Sequence, residues 1–373
     1  MKEFQPQLWL SLRNYSREKL VKDVISGIIV AIIALPLSIA LALASGVSPE
    51  QGLYTAIVAG FLISALGGSK VQIAGPTAAF ATIVAGIVAK NGMEGLAVAT
   101  ILAGILLVMM GLLRMGSMIR FIPYTITTGF TAGIALTILI GQIKDFLGLT
   151  FQEAPVETMD KLKQVFACFG TLNPMALVIG CLALAILIVW PRIFSKLPAS
   201  LAAVLVTAAV VRLLGLPVNT IGDLYVISGA LPVLHVPAIS YDMVAVVLPD
   251  AFTIAVLAAV ESLLSAVVAD EMTGSQHNSN MELVAQGIGN TASALFGGIP
   301  ATGAIARTAA NIKKWRAIAD CWYGSCFGAA AGIGSADALC RIDPYALYRR
   351  YIVSGSVQYE WMAYCGCGGQ TFS

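Results

Sequence analysis

Apolar runs follow one another from Val24 to about Lys313, separated by short polar breaks. A helix needs about 20 apolar residues to cross the roughly 30 Å hydrocarbon layer of a bilayer. The charge-free run from Val24 to Pro49 meets that length at once. The pattern predicts spans at Val24–Ala44, Gly52–Leu66, Val71–Ala89, Leu96–Leu113, Thr125–Ile143, Met175–Trp190, Ala199–Leu214, Val244–Ala269, Leu283–Phe296 and Ala301–Ile312. Residues 24–313 therefore read as an all-α polytopic membrane domain with about ten spans, behind a polar N-terminal segment, residues 1–23.

Composition agrees, since 58% hydrophobic against 11% charged residues leaves too few solvated groups to cover a water-facing surface. The first segment holds Lys2, Arg13, Arg17, Lys19 and Lys22 against Glu3, Glu18 and Asp23. An excess of bases before the first span places the N-terminus in the cytoplasm. The first apolar run starts too late and is too long for a cleavable signal peptide. A net charge of +2 with no basic stripe carrying interleaved aromatics gives no reason to expect nucleic acid as a partner.

The candidate chemistry lies where two apolar segments are interrupted. The third opens Gln72-Ile73-Ala74-Gly75-Pro76-Thr77-Ala78-Ala79-Phe80, and the tenth opens Gly297-Gly298-Ile299-Pro300-Ala301-Thr302-Gly303-Ala304. Non-helical backbone at membrane depth is tolerated where it lines a cavity or is buried in protein. Two such segments in corresponding halves point to a substrate site between inverted repeats. Each helix start offers unpaired N–H groups and about half a positive charge, so a pair of them favours an anion. Ala78, Ala79, Ala301 and Gly303 are small enough to let a ligand approach the backbone. The alternative is that these glycines and prolines serve helix packing alone.

Charges inside spans cost about 2.5–3.5 kcal/mol each at the bilayer centre on insertion scales. Two resist displacement to an interface. Glu261 lies between Asp250 and Asp270, roughly 16 Å along its helix by the α-helical rise. Arg307 follows Pro300, about 10 Å into the tenth segment by the same rise. Either Glu261 serves a coupling proton or Na⁺ and Arg307 the anion or electrostatic balance, or the two form an ion pair that fixes two helices. Both readings place them near each other. His235 and His277 fall in loops, and neither is expected to hold a metal. No cofactor is expected, and the spacing of Ser, His, Asp and Cys suggests no enzyme.

The chain changes character after Lys313. Cys321, Cys326, Cys340, Cys365 and Cys367 crowd residues 314–373, whereas the first 313 residues contain only Cys168 and Cys181. The cysteine spacing fits no ordinary zinc pattern. A reading frame displaced within the adenine-rich lysine codons explains more. If one base is removed there, the codons of Lys314 to Trp322 must begin with Asn or Ser and then Gly and must end in Gly, and between them they permit Arg-Ser-Pro-Ile-Ala. Residues 314–373 are accordingly expected to be a frameshifted tail with no native domain.

Several ordered strings resemble the sulfate permease family of anion transporters. They include Gly75–Ala79, Phe121–Tyr124, Thr127–Gly133, Gly141–Asp145, Glu261–Ser265, Asn280–Leu283, Gln286-Gly287 and Gly297–Thr308. The resemblance implies fourteen spans in two inverted seven-span repeats, divided into a core and a gate and followed by a cytoplasmic STAS domain. Only about ten spans are recognisable here, with no STAS domain. It further implies that the third and tenth spans are short half-helices around the anion. Thr77, Ala78, Ala79 and Phe80 then form one half of the pocket and Thr302, Gly303, Ala304 and Arg307 the other. Pro36 and Ser38 on the first span and Glu261 on the eighth complete it.

The expected function is secondary transport of sulfate, bicarbonate or a dicarboxylate across the cytoplasmic membrane, coupled to H⁺ or Na⁺. The complete protein would be a homodimer, and the chain as written would be inactive. The alternative is a channel-like or scaffold component that binds anions without carrying them.

Overall fold

The computed structural model describes residues 4–12, 16–117, 124–151, 155, 157–193, 199–218 and 231–312. The expected frameshifted tail, residues 314–373, lies outside the described residues. The described residues fall into two compact units, the first built from residues before 124 and after 229, the second from residues between 124 and 229.

The first unit begins with a short helix α1 (Gln7–Leu12) and then α2 (Arg17–Ala44), whose start is capped by Ser16 Oγ accepting from the Lys19 amide at 3.3 Å. Helix α3 (Pro49–Leu66) starts on a proline at its first turn, where the missing N–H costs nothing. The Gln51 side chain accepts the Ser48 amide at 3.1 Å and seals that end. The third apolar segment does not become helical until Ala78. Pro76 has no amide to donate and forces the residue before it into extended backbone. Strand β1 (Ala74–Gly75) occupies that stretch, and α4 (Ala78–Leu112) follows from an extended N-cap, Thr77. Helix α4 takes in the third expected span from Ala78 onward and nearly all of the fourth, joined at Gly92, whose φ of 66° only glycine adopts without strain.

The second unit contains α5 (Tyr124–Leu147), α6 (Thr158–Ala167), a 3-10 turn at Phe169–Thr171, α7 (Pro174–Ile193) and α8 (Ala199–Leu214). Helix α6 was not among the expected spans, because its polar and apolar residues alternate at amphipathic spacing and no 20-residue apolar run exists there. Gly180 lies against the Phe146 ring, which lets α7 approach α5 closely.

The chain returns to the first unit as α9 (Tyr241–Thr273), α10 (Ser279–Leu295), strand β2 (Thr302–Gly303) and α11, residues 305–312. Helix α10 packs along α4 through glycines: a Cβ on Gly104 would meet the Gly287 carbonyl at 2.6 Å, and a Cβ on Gly287 would collide with the Gly104 carbonyl. Small residues bring helix backbones together in this way where lipid gives no hydrophobic drive. Helices α2, α4, α7 and α9 are long and apolar enough to cross a bilayer by length and composition.

Candidate functional site

The two interrupted segments meet. Strands β1 and β2 pair antiparallel, with Ala74 opposite Gly303 and Gly75 opposite Thr302. The Ala304 amide extends the ladder by donating to the Ile73 carbonyl at 2.8 Å. Helices α4 and α11 start within a few residues of this crossing, so two sets of first-turn amides are brought beside one short strand pair.

Side chains complete the backbone pairing of both lead-in segments. Thr55 Oγ1 accepts the Ile299 amide at 2.7 Å, and Ser293 Oγ donates to the Ile299 carbonyl at 2.9 Å. Asn290 grips the next residue but one from both sides: its Oδ1 accepts the Ala301 amide and its Nδ2 donates to the Ala301 carbonyl, both at 2.8 Å. On the other strand, Thr308 Oγ1 accepts the Ile73 amide at 3.0 Å and Asn311 Nδ2 donates to the Val71 carbonyl at 3.0 Å. Each buried polar group left unpaired would cost about 1–3 kcal/mol. These residues therefore fix the irregular backbone at this depth.

Helix α9 presents one face to the crossing. Ser262 Oγ accepts the Gly303 amide at 3.1 Å and lies 2.6 Å from Thr302 Oγ1, while the Ser262 carbonyl accepts Gln72 Nε2 at 3.2 Å. One residue earlier on α9, Glu261 Oε2 accepts the Thr77 hydroxyl at 3.0 Å. Three residues after Ser262, the Ser265 hydroxyl reaches toward Thr308 Oγ1 at 3.5 Å. A single helical face thus touches both half-helices.

Each site residue expected from sequence has a definite place. Ala78 and Ala79 sit half-buried in the first turn of α4, and Pro36 sits half-buried on α2. Gly303 is pressed against Gln72, which leaves no room for a Cβ. Ala304 follows β2 and is 8% exposed. The Thr302 hydroxyl is engaged by Ser262 and by the Ala258 carbonyl at 3.3 Å. Phe80 is 1% exposed and packs into the core between helices instead of presenting its ring to an open surface. Arg307 is 2% exposed and crosses behind β1, donating from Nη2 to Ser38 Oγ and to the Pro76 carbonyl, both at 3.3 Å. Glu261 and Arg307 thus hold neighbouring residues of one turn, Thr77 and Pro76, and each does so through its own hydrogen bonds.

Sequence reasoning missed the residues that hold this backbone. Ser262 and Ser265 on α9, and Gln286, Asn290 and Ser293 on α10, are buried polar residues recurring at helical spacing. That periodicity inside apolar spans was the available signal. A second missed feature is a hydrogen-bonded line at the turn between α9 and α10. His277 Nδ1 lies 2.6 Å from Asp270 Oδ2 and His277 Nε2 lies 2.9 Å from the Ser279 hydroxyl. Asp270 also accepts the His277 amide at 2.9 Å, so the line closes the turn. Among the described residues no group of three or more His, Cys, Asp or Glu side chains could hold a metal ion.

Comparison with known proteins places this geometry. The profile of the sulfate permease family matches residues 20–314. A protein named putative sulfate transporter YvdB, from Bacillus subtilis strain 168, is 46% identical over 305 residues, covering 81% of this chain and 57% of the relative. A bicarbonate transporter, BicA, from a Synechocystis strain is 34% identical over 302 residues, covering 78% of this chain and 53% of the relative. The solved transmembrane domain of a cyanobacterial bicarbonate transporter BicA superposes with a TM-score of 0.71 at 27% identity, covering 94% of this chain and 95% of that one. The chain spans about half the length of the curated relatives it matches.

Proposed function

The chain belongs to the sulfate permease family, with its all-α, inverted-repeat membrane fold, and from that premise we propose that it forms the anion-binding core of a cation-coupled secondary transporter. The anion binds where the first turns of α4 and α11 meet, against Thr77, Ala78, Ala79 and Ala304. Its charge is met by backbone amides and by the fixed guanidinium of Arg307 behind the strands. The substrate is a small oxyanion or carboxylate: sulfate, bicarbonate or a dicarboxylate. The names of the relatives, sulfate and bicarbonate transporters, support that class.

One observation carries the coupling. Glu261 is hydrogen-bonded to Thr77, the N-cap of α4, so a carboxyl group stands at the helix start that attracts the anion. An ionised Glu261 and an arriving anion repel each other strongly in a low-dielectric setting. A proton or Na⁺ on Glu261 removes that repulsion. Anion and cation then favour each other's binding by linkage, which is the thermodynamic basis of symport. Transport follows from rigid-body movement of a core domain against a gate domain in the cytoplasmic membrane. The N-terminus faces the cytoplasm, and the protein acts as a homodimer.

The test is uptake by proteoliposomes containing the protein with the reading frame after Lys313 displaced by one base. Saturable uptake of one of these anions, driven by an imposed H⁺ or Na⁺ gradient, is the expected result. Glu261→Gln should abolish the dependence on the gradient. Anion binding without saturable uptake would favour a non-transporting, channel-like or scaffold component instead.

A further inference from the structure

Helix α1 takes no part in the anion site, and its composition is unusual for a soluble arm. In Gln7–Leu12, the side chains of Leu8, Trp9, Leu10 and Leu12 are 43%, 67%, 40% and 51% exposed. The helix is nevertheless fixed in place, because the Gln7 amide donates to the Gly67 carbonyl at 3.0 Å. Gly67 is the C-cap of α3. The next residue, Gly68, donates to Glu282 Oε2 at 2.9 Å, and its carbonyl accepts the Asn278 amide at 2.9 Å, at the start of α10. Helix α1 therefore lies at the level where α3 ends and α10 begins.

At about 1.5 Å per residue a helix this short spans only about 9 Å and cannot cross a bilayer. Its exposed leucines and tryptophan suit the boundary between acyl chains and headgroups, where tryptophan is enriched. Charge points the same way. Arg17 and Lys19 are exposed in the first turn of α2, and Lys70 is exposed shortly after Gly67. The sequence adds Lys2, Arg13 and Lys22 on the same side of the first span, against Glu3, Glu18 and Asp23.

We propose that α1 is an interfacial anchor that inserts Leu8, Trp9, Leu10 and Leu12 into one leaflet, with the surrounding bases favouring anionic lipid headgroups. The occupant of this apolar face is lipid, not a second protein segment. The anchor is independent of which anion is carried, so its test needs no transport.

The test uses the full chain in lipid nanodiscs with Trp190, Trp315, Trp322 and Trp361 replaced by phenylalanine, leaving Trp9 as the only indole. Lipids brominated near the headgroup should quench Trp9 emission about twofold or more, and lipids brominated near the chain end should quench it less. Raising phosphatidylglycerol from none to about 30% of the lipid should strengthen the quenching, and high salt should reverse that gain. If the quadruple variant does not fold, the difference between the native chain and Trp9→Phe gives the same readout. Solvent-like emission without lipid quenching would overturn the proposal. So would blue-shifted emission that no brominated lipid quenches, which would mean that protein covers the face. Quenching indifferent to phosphatidylglycerol and salt would overturn the headgroup preference.

Discussion

The closest contacts at the crossing are made by glycines, and their replacement separates local backbone placement from general stability. A Cβ at Gly303 would overlap the Gln72 amide nitrogen and one at Gly75 would overlap Arg307 Nη1. The Gly303 Cβ would also crowd the Ser262 backbone at 3.2 Å, whereas the Gly75 Cβ meets only the tip of one side chain. Gly303→Ala should therefore weaken anion binding more than Gly75→Ala, and overpacking at so close a contact should also cost about 1–3 kcal/mol of stability. Titration of the purified protein with sulfate and bicarbonate would rank the two. Ser262 makes a finer test, because its hydroxyl accepts the Gly303 amide while pairing with Thr302. Ser262→Ala should reduce anion affinity, and Ser262→Thr, which keeps the oxygen, should restore most of it. Equal affinities for the two variants would show that the Gly303 amide needs no such acceptor. The sequence already pointed to Gly75–Ala79 and Gly297–Ala304, because glycine and proline disrupt helices wherever they occur. The side chains that meet them could not be read, since contacts such as Gln72 with Ser262 join residues far apart in the chain.

Helices show the same division between what local pattern reveals and what packing decides. The length of α9 and the start of α4 follow from apolar runs and from Pro76, whereas the joining of two expected spans into α4 through Gly92 does not. Helix α10 is the clearest case: its apolar run marks a short span, yet one face carries Glu282, Gln286, Asn290 and Ser293, all 1% exposed or less. Gln286 Nε2 donates to Glu282 Oε1 at 3.0 Å, and Asn290 Nδ2 donates to the Gln286 carbonyl at 2.8 Å, so the column is joined along the helix. Asn290→Ala would leave the buried amide and carbonyl of Ala301 without their side-chain partner, at about 1–3 kcal/mol for each group. Thermal unfolding in detergent should fall accordingly, and an unchanged midpoint would remove Asn290 from this role. At the break between the third and fourth expected spans, beside Gly92, His235 Nε2 lies 3.0 Å from Glu94 Oε1. That hydrogen bond holds the Glu94 carboxyl below its ordinary value. Its small contribution is present above the ordinary carboxyl range and is lost as pH falls through the lowered value. Both side chains are largely exposed, so Glu94→Gln should change stability at neutral pH by less than about 1 kcal/mol.

At the scale of the whole molecule, the proposed coupling turns on two charges held at one turn. Arg307 is held by Ser38 on the first span and by Pro76 just after the first strand, and Glu261 by Thr77. A fixed cation lowers the cost of an anion in every state, whereas a carboxyl group that gains and loses a proton or Na⁺ changes that cost between states. Arg307→Gln should therefore weaken anion binding at all pH values and cation concentrations, leaving any coupling ratio intact. Glu261→Gln should instead preserve anion affinity and remove its dependence on pH or Na⁺, because glutamine hydrogen-bonds Thr77 without carrying charge. The two variants thus separate affinity from coupling in a single pair of binding titrations, each run across pH and across Na⁺ concentration. A loss of affinity with retained cation dependence in Glu261→Gln would reverse the assignment and make Glu261 a structural partner of Thr77. The sequence placed both charges inside spans from their cost in lipid. It could not tell which groups hold each charge, because that depends on how β1 and β2 cross.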